Sequence, residues 1–285
     1  MPTATVHDAR LRAVRGFILD MDGTLVLGDR RNHGLRALPG AVDLVAWLSE
    51  RGLPYIIFTN GTTRTPAGYA DVLRAAGFDL PDEAVMTPVS SAVDVFVRRG
   101  YRRVVVLGGD GLSVPLREAG IEPVPPQGKP SADAVLVGWY PDFTLATLEA
   151  ACHAVWQGAD VYSASQVVFF ATADGRALGT SRAISAMISS STGCRVHLVG
   201  KPSLHALRSA ARRLGRRAAD LAVVGDDPEL EVPMAHRGRA LAVAVATGLS
   251  GPDAFTKLPE GRRPHLMVGG VDELLRLCKA VYEEH

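Results

Sequence analysis

Two aspartates that are separated by one residue stand directly after an apolar run near the N-terminus. They are Asp20 and Asp22, within the segment FILDMDGTL of residues 17–25. Of two converging carboxylates, one can attack phosphorus and form an acyl-phosphate, which divides a difficult hydrolysis into two easier steps. The other can protonate the leaving alcohol and later deprotonate water. Because Asp, Gly and Thr also form ordinary turns, the pair needs partners elsewhere in the chain to indicate a catalytic site.

Two further polar groups follow apolar runs in the same way. The segment TNG at residues 59–61 comes after the run at residues 55–58, and a hydroxyl with backbone N–H groups at such a turn suits phosphoryl oxygens. Lys201 comes shortly after the run at residues 196–199. Its ammonium would neutralise charge on a nucleophile and on a transferring phosphoryl group. Either feature alone is also compatible with an ordinary turn or a solvated surface lysine.

Acidic residues follow a fourth apolar run, at residues 221–224. The segment after it, GDDPELE at residues 225–231, contains Asp226, Asp227 and Glu231. Mg²⁺ takes oxygen ligands and keeps several waters, so one or two carboxylates suffice to bind it. Acidic residues are also favoured at a helix N-terminus by the helix dipole, and both interpretations can hold here.

These polar groups need a scaffold that brings strand ends together. Apolar, strand-like runs alternate with helix-like runs along the chain, which predicts an α/β architecture with mostly parallel sheets. In open sheets of this kind, functional groups gather at the carboxyl ends of the strands. We therefore expect the strands that end near Asp20, Thr59, Lys201 and Asp226 to assemble a site that binds a metal and a phosphate together.

Composition argues against several classes of function. The 285 residues, 47% of them hydrophobic, are enough to bury one or two cores. A formal net charge of +1 supplies no field for nucleic acid or membrane, and the arginines within residues 208–217 are interpreted as a solvated helix face. Three widely spaced cysteines indicate neither a disulfide framework nor a zinc site. Residues 1–15 lack the apolar core of a signal peptide, and no apolar run approaches the ~18 residues of a membrane span, so we expect a cytoplasmic protein.

Taken together and in their order, the four motifs resemble the haloacid dehalogenase superfamily of phosphohydrolases. The resemblance implies that Asp20 is the nucleophile and a Mg²⁺ ligand. It also implies that Asp22 is the general acid and base and gives its backbone carbonyl to Mg²⁺. The expected reaction is Mg²⁺-dependent hydrolysis of a small phosphate monoester, such as a sugar phosphate or a nucleotide, through an aspartyl-phosphate.

The other motif residues also have roles by this resemblance. Thr59 and Asn60 would bind phosphate, Lys201 would bind phosphate and stabilise its charge, and Asp226 would bind Mg²⁺. The family's fourth motif usually reads GDxxxTD, whereas here Glu231, longer by one methylene, stands at the last position. We predict that Glu231 is the second acidic group at the metal, with the aspartate directly after Asp226 as the alternative.

The spacing of the motifs narrows the resemblance to one branch of the superfamily. The interval between the first two motifs is too short for a large insert, whereas the interval between the second and third can hold a second α/β unit. This is similar to the p-nitrophenylphosphatase, pyridoxal phosphatase and NagD-like branch, whose large cap lies there. The implied fold is a doubly wound, Rossmannoid parallel-sheet core of residues 1–86 and 179–285, with an α/β cap domain at residues 87–178.

Several alternatives stay open at this stage. A phosphotransferase or mutase uses the same intermediate, and a binding or regulatory protein can keep a fold without turnover. Retention of Asp20 and Asp22 speaks against the second alternative, and only the altered fourth motif favours it. The segment YSASQ at residues 162–166 stands where the family usually has an aspartate, so the identity of the phosphorylated metabolite stays open. The oligomeric state is open as well, although caps in this family often mediate homodimers.

Overall fold

The computed structural model describes residues 6–28, 34–172, 175–248 and 251–283. The chain divides into two compact units. The first unit consists of Met1–Thr59, Ala70–Met86 and Leu207–His285. The second unit consists of Asn60–Tyr69 and Thr87–Ala206.

Strands and helices alternate along the described residues. The strands are β1 (Phe17–Asp20), β2 (Val26–Leu27), β3 (Arg36–Ala37), β4 (Tyr55–Phe58), β5 (Val85–Met86), β6 (Arg103–Leu107), β7 (Glu122–Val124), β8 (Ala134–Val137), β9 (Asp160–Ser163), β10 (Phe169–Thr172), β11 (Gly175–Leu178), β12 (Val196–Leu198), β13 (Ala222–Gly225), β14 (Leu241–Val245) and β15 (Leu266–Val268). The helices are α1 (Val6–Arg12), α2 (Ala41–Glu50), α3 (Pro66–Ala75), α4 (Pro88–Arg99), α5 (Asp110–Glu118), α6 (Leu145–Trp156), α7 (Thr180–Thr192), α8 (Leu204–Arg213), α9 (Glu231–Gly238), α10 (Pro252–Thr256) and α11 (Val271–Glu283). Among the described residues, none of these helices combines the length and the apolar character that a membrane crossing needs.

The first unit is built on a six-stranded parallel sheet in the order β15-β14-β13-β1-β4-β5. Its central strand β1 is buried throughout, with Phe17, Ile18 and Leu19 at most 1% exposed. The chain continues from β1 to β4 on one side, whereas β13 returns much later on the other side. This reversal of strand order beside β1 is the topological switch point, outside which open α/β sheets bind their ligands. The predicted doubly wound parallel sheet is confirmed, and its switch point lies beside Asp20.

The second unit has a sheet of its own, which is parallel and five-stranded in the order β12-β9-β8-β6-β7. Successive side chains of β6 serve opposite faces, as the two-residue period of a strand requires. Val104 packs in one buried cluster with Leu112 of α5, and Val105 packs in another with Ala151 of α6 and Ile184 of α7. Helices therefore cover both faces of the sheet.

The second unit has different boundaries from the cap domain that the sequence predicts at residues 87–178. Strand β12, expected in the same sheet as Asp20, instead pairs in parallel with β9, with Val196 opposite Val161. The preceding helix α7 buries Ile184 and Ile188 in the cluster on this sheet. Because these apolar side chains find their core in the second unit, the chain leaves that unit only after residue 206.

Candidate active site

Strand β1 ends at Asp20, which is 7% exposed. The hydroxyl of Thr24 donates a hydrogen bond of 2.9 Å to Oδ2 of Asp20. Thr24 comes into reach because the chain turns back after the strand, with the N–H of Leu25 donating to the carbonyl of Met21 at 2.9 Å. Gly23 takes a φ of 85° in this turn, in the left-handed region that glycine adopts without steric cost. The turn thus fixes the orientation of the predicted nucleophile.

Asp22 and Thr59 lie together at the same edge of the sheet. Asp20 is the register partner of Phe58, so Thr59 leaves β4 beside the end of β1. The hydroxyl of the buried Thr59 donates a hydrogen bond of 3.1 Å to Oδ2 of the exposed Asp22. Two carboxylates separated by one residue are therefore held by two different hydroxyls.

Asp226 follows β13 and lies against two glycines. A Cβ atom at Gly23 would come within 2.5 Å of Oδ2 of Asp226, and one at Gly248 would come within 1.5 Å of the same atom. The Asp226 carboxylate, on a residue 9% exposed, therefore packs directly on the backbone of both turns. Thr247 joins the turns, because its hydroxyl donates to the carbonyl of Gly23 at 2.7 Å.

Thr247 and Gly248 are absent from the sequence-based set of site residues. They follow β14 after a single alanine, so the rule that finds polar residues after strand ends would also have found this segment. What the rule cannot supply is the close approach to Asp226, since it depends on how the two turns pack.

Glu231 and Asp227 have different surroundings. Glu231, only 1% exposed, is the first residue of α9, and its carboxylate lies so close to Gly225 that a Cβ there would approach its Cδ within 2.5 Å. Its Oε2 accepts the N–H of Asp227 at 3.3 Å. The Asp227 side chain instead accepts the N–H of Glu229 at 2.7 Å. Glu231 therefore turns back towards the strand end, while Asp227 supports the loop before the helix.

Asn60 and Lys201 belong to the second unit and contact each other. The side-chain Oδ1 of Asn60 accepts the N–H of Lys201 at 2.8 Å, and its Nδ2 donates to the carbonyl of Lys201 at 3.1 Å. Lys201 is 1% exposed. The amide predicted to bind phosphate thus makes its two side-chain contacts to the backbone of the predicted charge-stabilising lysine.

Two models of one hydrolase family match the chain. Residues 17–122 match a model described as haloacid dehalogenase-like hydrolase, and residues 198–274 match a HAD-hydrolase-like model. The 5'-nucleotidase YutF of Bacillus subtilis (strain 168) is 26% identical over 86% of this chain and 92% of its own. An acid sugar phosphatase of Staphylococcus aureus (strain USA300) is 27% identical over 84% of this chain and 89% of its own. The crystal structure of a 4-nitrophenylphosphatase from Thermotoga maritima superposes with a TM-score of 0.82 at 25% identity, over 93% of this chain and 98% of that one.

The carboxylates at the switch point and the parallel sheet indicate the same family as these matches. The chain belongs to the haloacid dehalogenase-like hydrolases. Within that family it is a phosphatase, of the kind that acts on phosphate monoesters. The family that the four motifs suggest is thereby confirmed.

Proposed function

We propose that the protein hydrolyses a small phosphorylated metabolite through an aspartyl-phosphate on Asp20, with Mg²⁺ as cofactor. The observation that carries the proposal is the pair of carboxylates at the end of β1, each with its own hydroxyl partner. Thr24 orients Asp20 and Thr59 orients Asp22, so the two carboxylates are set up for different tasks. A nucleophile and a separate proton donor are what the two-step hydrolysis of a monoester requires.

In the first step, a carboxylate oxygen of Asp20 bonds to phosphorus and the bond from phosphorus to the ester oxygen breaks. The Asp22 carboxyl gives its proton to the departing ester oxygen. In the second step, Asp22 takes a proton from water, and the resulting hydroxide bonds to phosphorus as the Asp20 oxygen leaves. Inorganic phosphate is released and both aspartates return to their starting protonation.

Binding of the phosphoryl group is assigned to Thr59, to backbone N–H groups of the segment that follows it, and to Lys201. The hydroxyl of Thr59 lies at the carboxyl edge of the sheet, at the register position next to Asp20. The ammonium of the buried Lys201 would offset the negative charge that develops on the phosphoryl oxygens. The role of Lys201 rests on its motif and its burial.

The residues around Asp226 fit a magnesium ion. Among the described residues, no group of three His, Cys, Asp or Glu side chains is arranged to hold a metal alone. Mg²⁺, however, keeps several waters and needs only one or two carboxylates, which Asp20 and Asp226 offer together with the backbone carbonyl of Asp22. The packing of Asp226 on two glycine backbones leaves its carboxylate little freedom, as a metal ligand requires. When bound, Mg²⁺ supplies positive charge to the phosphoryl oxygens.

The test of the nucleophile is Asp20→Asn, assayed with p-nitrophenyl phosphate. The amide keeps the shape of the side chain but is a poor nucleophile, so we expect kcat to fall by at least about 1,000-fold with little change in the melting temperature. Asp43→Asn, the same change at an exposed position of α2, is the matched control and should leave kcat unchanged. Activity of Asp20→Asn within tenfold of the parent would refute the covalent mechanism.

The substrate is best sought with a panel of phosphomonoesters and phosphate release as the readout. The panel includes nucleoside 5'-monophosphates and sugar phosphates, because the relatives are named for these two classes. A preference for one class, expressed as kcat/KM, would identify the kind of leaving group that the protein accepts.

A further inference from the structure

The side-chain amide of Asn60 forms hydrogen bonds with both backbone polar groups of one residue that is distant in the sequence. Its Oδ1 accepts the N–H of Lys201 and its Nδ2 donates to the carbonyl of the same residue, at 2.8 and 3.1 Å. A two-point contact of this kind fixes both the position and the rotation of the backbone at Lys201. The two residues are 141 positions apart in the chain, so the contact is purely tertiary.

The residue before the lysine is shaped to permit this contact. A Cβ atom at Gly200 would lie 2.6 Å from Oδ1 of Asn60 and 2.0 Å from the carbonyl oxygen of Ala164. Only glycine lets the backbone lie this close to the amide. The carbonyl of Gly200 also accepts the N–H of Ser203 at 3.0 Å, which closes the turn that leads into α8. Lys201 therefore lies in a turn that β12, the Ser203 bond and the Asn60 amide hold together.

The position of this backbone matters because the lysine side chain is long and buried. An ammonium on a flexible four-carbon stem has many orientations, and its burial at 1% exposure selects among them only if the backbone is fixed. Misplacement of a reacting or stabilising group by about 1 Å can cost around 100-fold in rate. An amide that fixes the Lys201 backbone can therefore affect catalysis without touching the substrate.

We infer that Asn60 is a positioning residue that acts on the reaction through Lys201, and that its side chain is not itself a phosphate ligand. The inference rests on the proposed function, in which Lys201 offsets the charge of the phosphoryl group. It changes the role that the family resemblance implies for Asn60. The phosphate contacts of this segment are then left to Thr59 and to backbone N–H groups.

A double-mutant cycle with p-nitrophenyl phosphate at saturating Mg²⁺ tests the inference. The four proteins are the parent, Asn60→Ala, Lys201→Ala and the double variant. We expect kcat to fall by roughly 10- to 100-fold for Asn60→Ala, and further for Lys201→Ala. Because the amide acts through the lysine, the double variant should have the activity of Lys201→Ala within about threefold.

A control variant separates positioning from general damage to the segment. Thr65→Ala removes a hydroxyl that accepts the N–H of Gly68 at 3.0 Å at the start of α3. It should lower the melting temperature but leave kcat within about threefold of the parent. If Asn60→Ala fails to fold, Asn60→Asp takes its place in the cycle, since it keeps the shape and the oxygen that accepts the Lys201 N–H.

The possible outcomes separate a failure of this inference from a failure of the proposed function on which it rests. If the losses of the two single variants multiply in the double variant, Asn60 acts independently of Lys201 and the inference is overturned. If Lys201→Ala keeps the activity of the parent, the role of the lysine in the proposed function fails, and the inference fails with it. A coupled loss, with an unaffected Thr65→Ala, supports it.

Discussion

Gly248→Ala introduces one methyl group against the carboxylate of Asp226. The new Cβ would lie 1.5 Å from Oδ2 of Asp226 and 2.3 Å from its Cγ. Real Cβ atoms essentially never approach another heavy atom within 3.0 Å, so the carboxylate must retreat by roughly 1.5 Å. The backbone at Gly248 is outside the left-handed region, so the alanine itself is not strained and the effect falls on Asp226.

This displacement is large on the scale of metal coordination. Distances from ligand atoms to a bound metal tolerate only about 0.2 Å, so a carboxylate displaced by roughly 1.5 Å is lost as a ligand. We therefore expect the Mg²⁺ concentration for half-maximal activity to rise at least about 100-fold, which corresponds to ~2.7 kcal/mol. The assay is a Mg²⁺ titration of phosphate release, paired with thermal melting at each concentration.

Gly251→Ala is the matched control, because a Cβ at Gly251 meets nothing within 4 Å and its backbone is also outside the left-handed region. It should titrate with Mg²⁺ as the parent does, within about twofold. A Gly248→Ala protein that is folded and has the Mg²⁺ dependence of the parent would refute the reasoning. Either Asp226 would then not be a metal ligand, or its packing on Gly248 would not constrain it.

Three further outcomes are expected. Glu231→Gln should weaken Mg²⁺-dependent activity by roughly 10- to 100-fold and Asp227→Asn should not, because the Glu231 side chain is buried towards the strand end. The reverse pattern in a Mg²⁺ titration would reassign the metal site to Asp227. Removal of divalent metal with a chelator should abolish phosphate release, and added Mg²⁺ should restore it, since the site offers hard oxygen ligands; undiminished activity of the stripped protein would exclude the cofactor. In the native protein, a thiol reagent at pH 8 should label Cys194, which is partly exposed, but not Cys278, because burial raises the pKa of the Cys278 thiol to about 12. Mass spectrometry of the labelled peptides checks this, and labelling of Cys278 in place of Cys194 would contradict it.

The sequence alone determined the fold class, the family and the residues at three of the strand ends. The alternation of apolar runs with helical segments is local information, and it predicts a parallel α/β sheet without any contact being known. Asp20 is the last residue of its strand, and Thr59 and Asp226 directly follow theirs. The order of residues along the chain is therefore enough to predict that these side chains meet at one edge of the sheet. Residue types at strand ends indicate phosphoryl chemistry for the same reason.

Only the tertiary structure decided which sheet each strand joins and which backbone each side chain holds. The run at residues 196–199 has the composition of any buried strand, and nothing in it selects β9 as its partner. The hydrogen bonds between the Asn60 side chain and the Lys201 backbone likewise join segments that are remote in the chain. Pairing and packing of this kind depend on the summed burial of whole elements, which a local pattern does not encode. The sequence therefore identified the reacting groups, whereas the contacts that position them could be seen only in the folded chain.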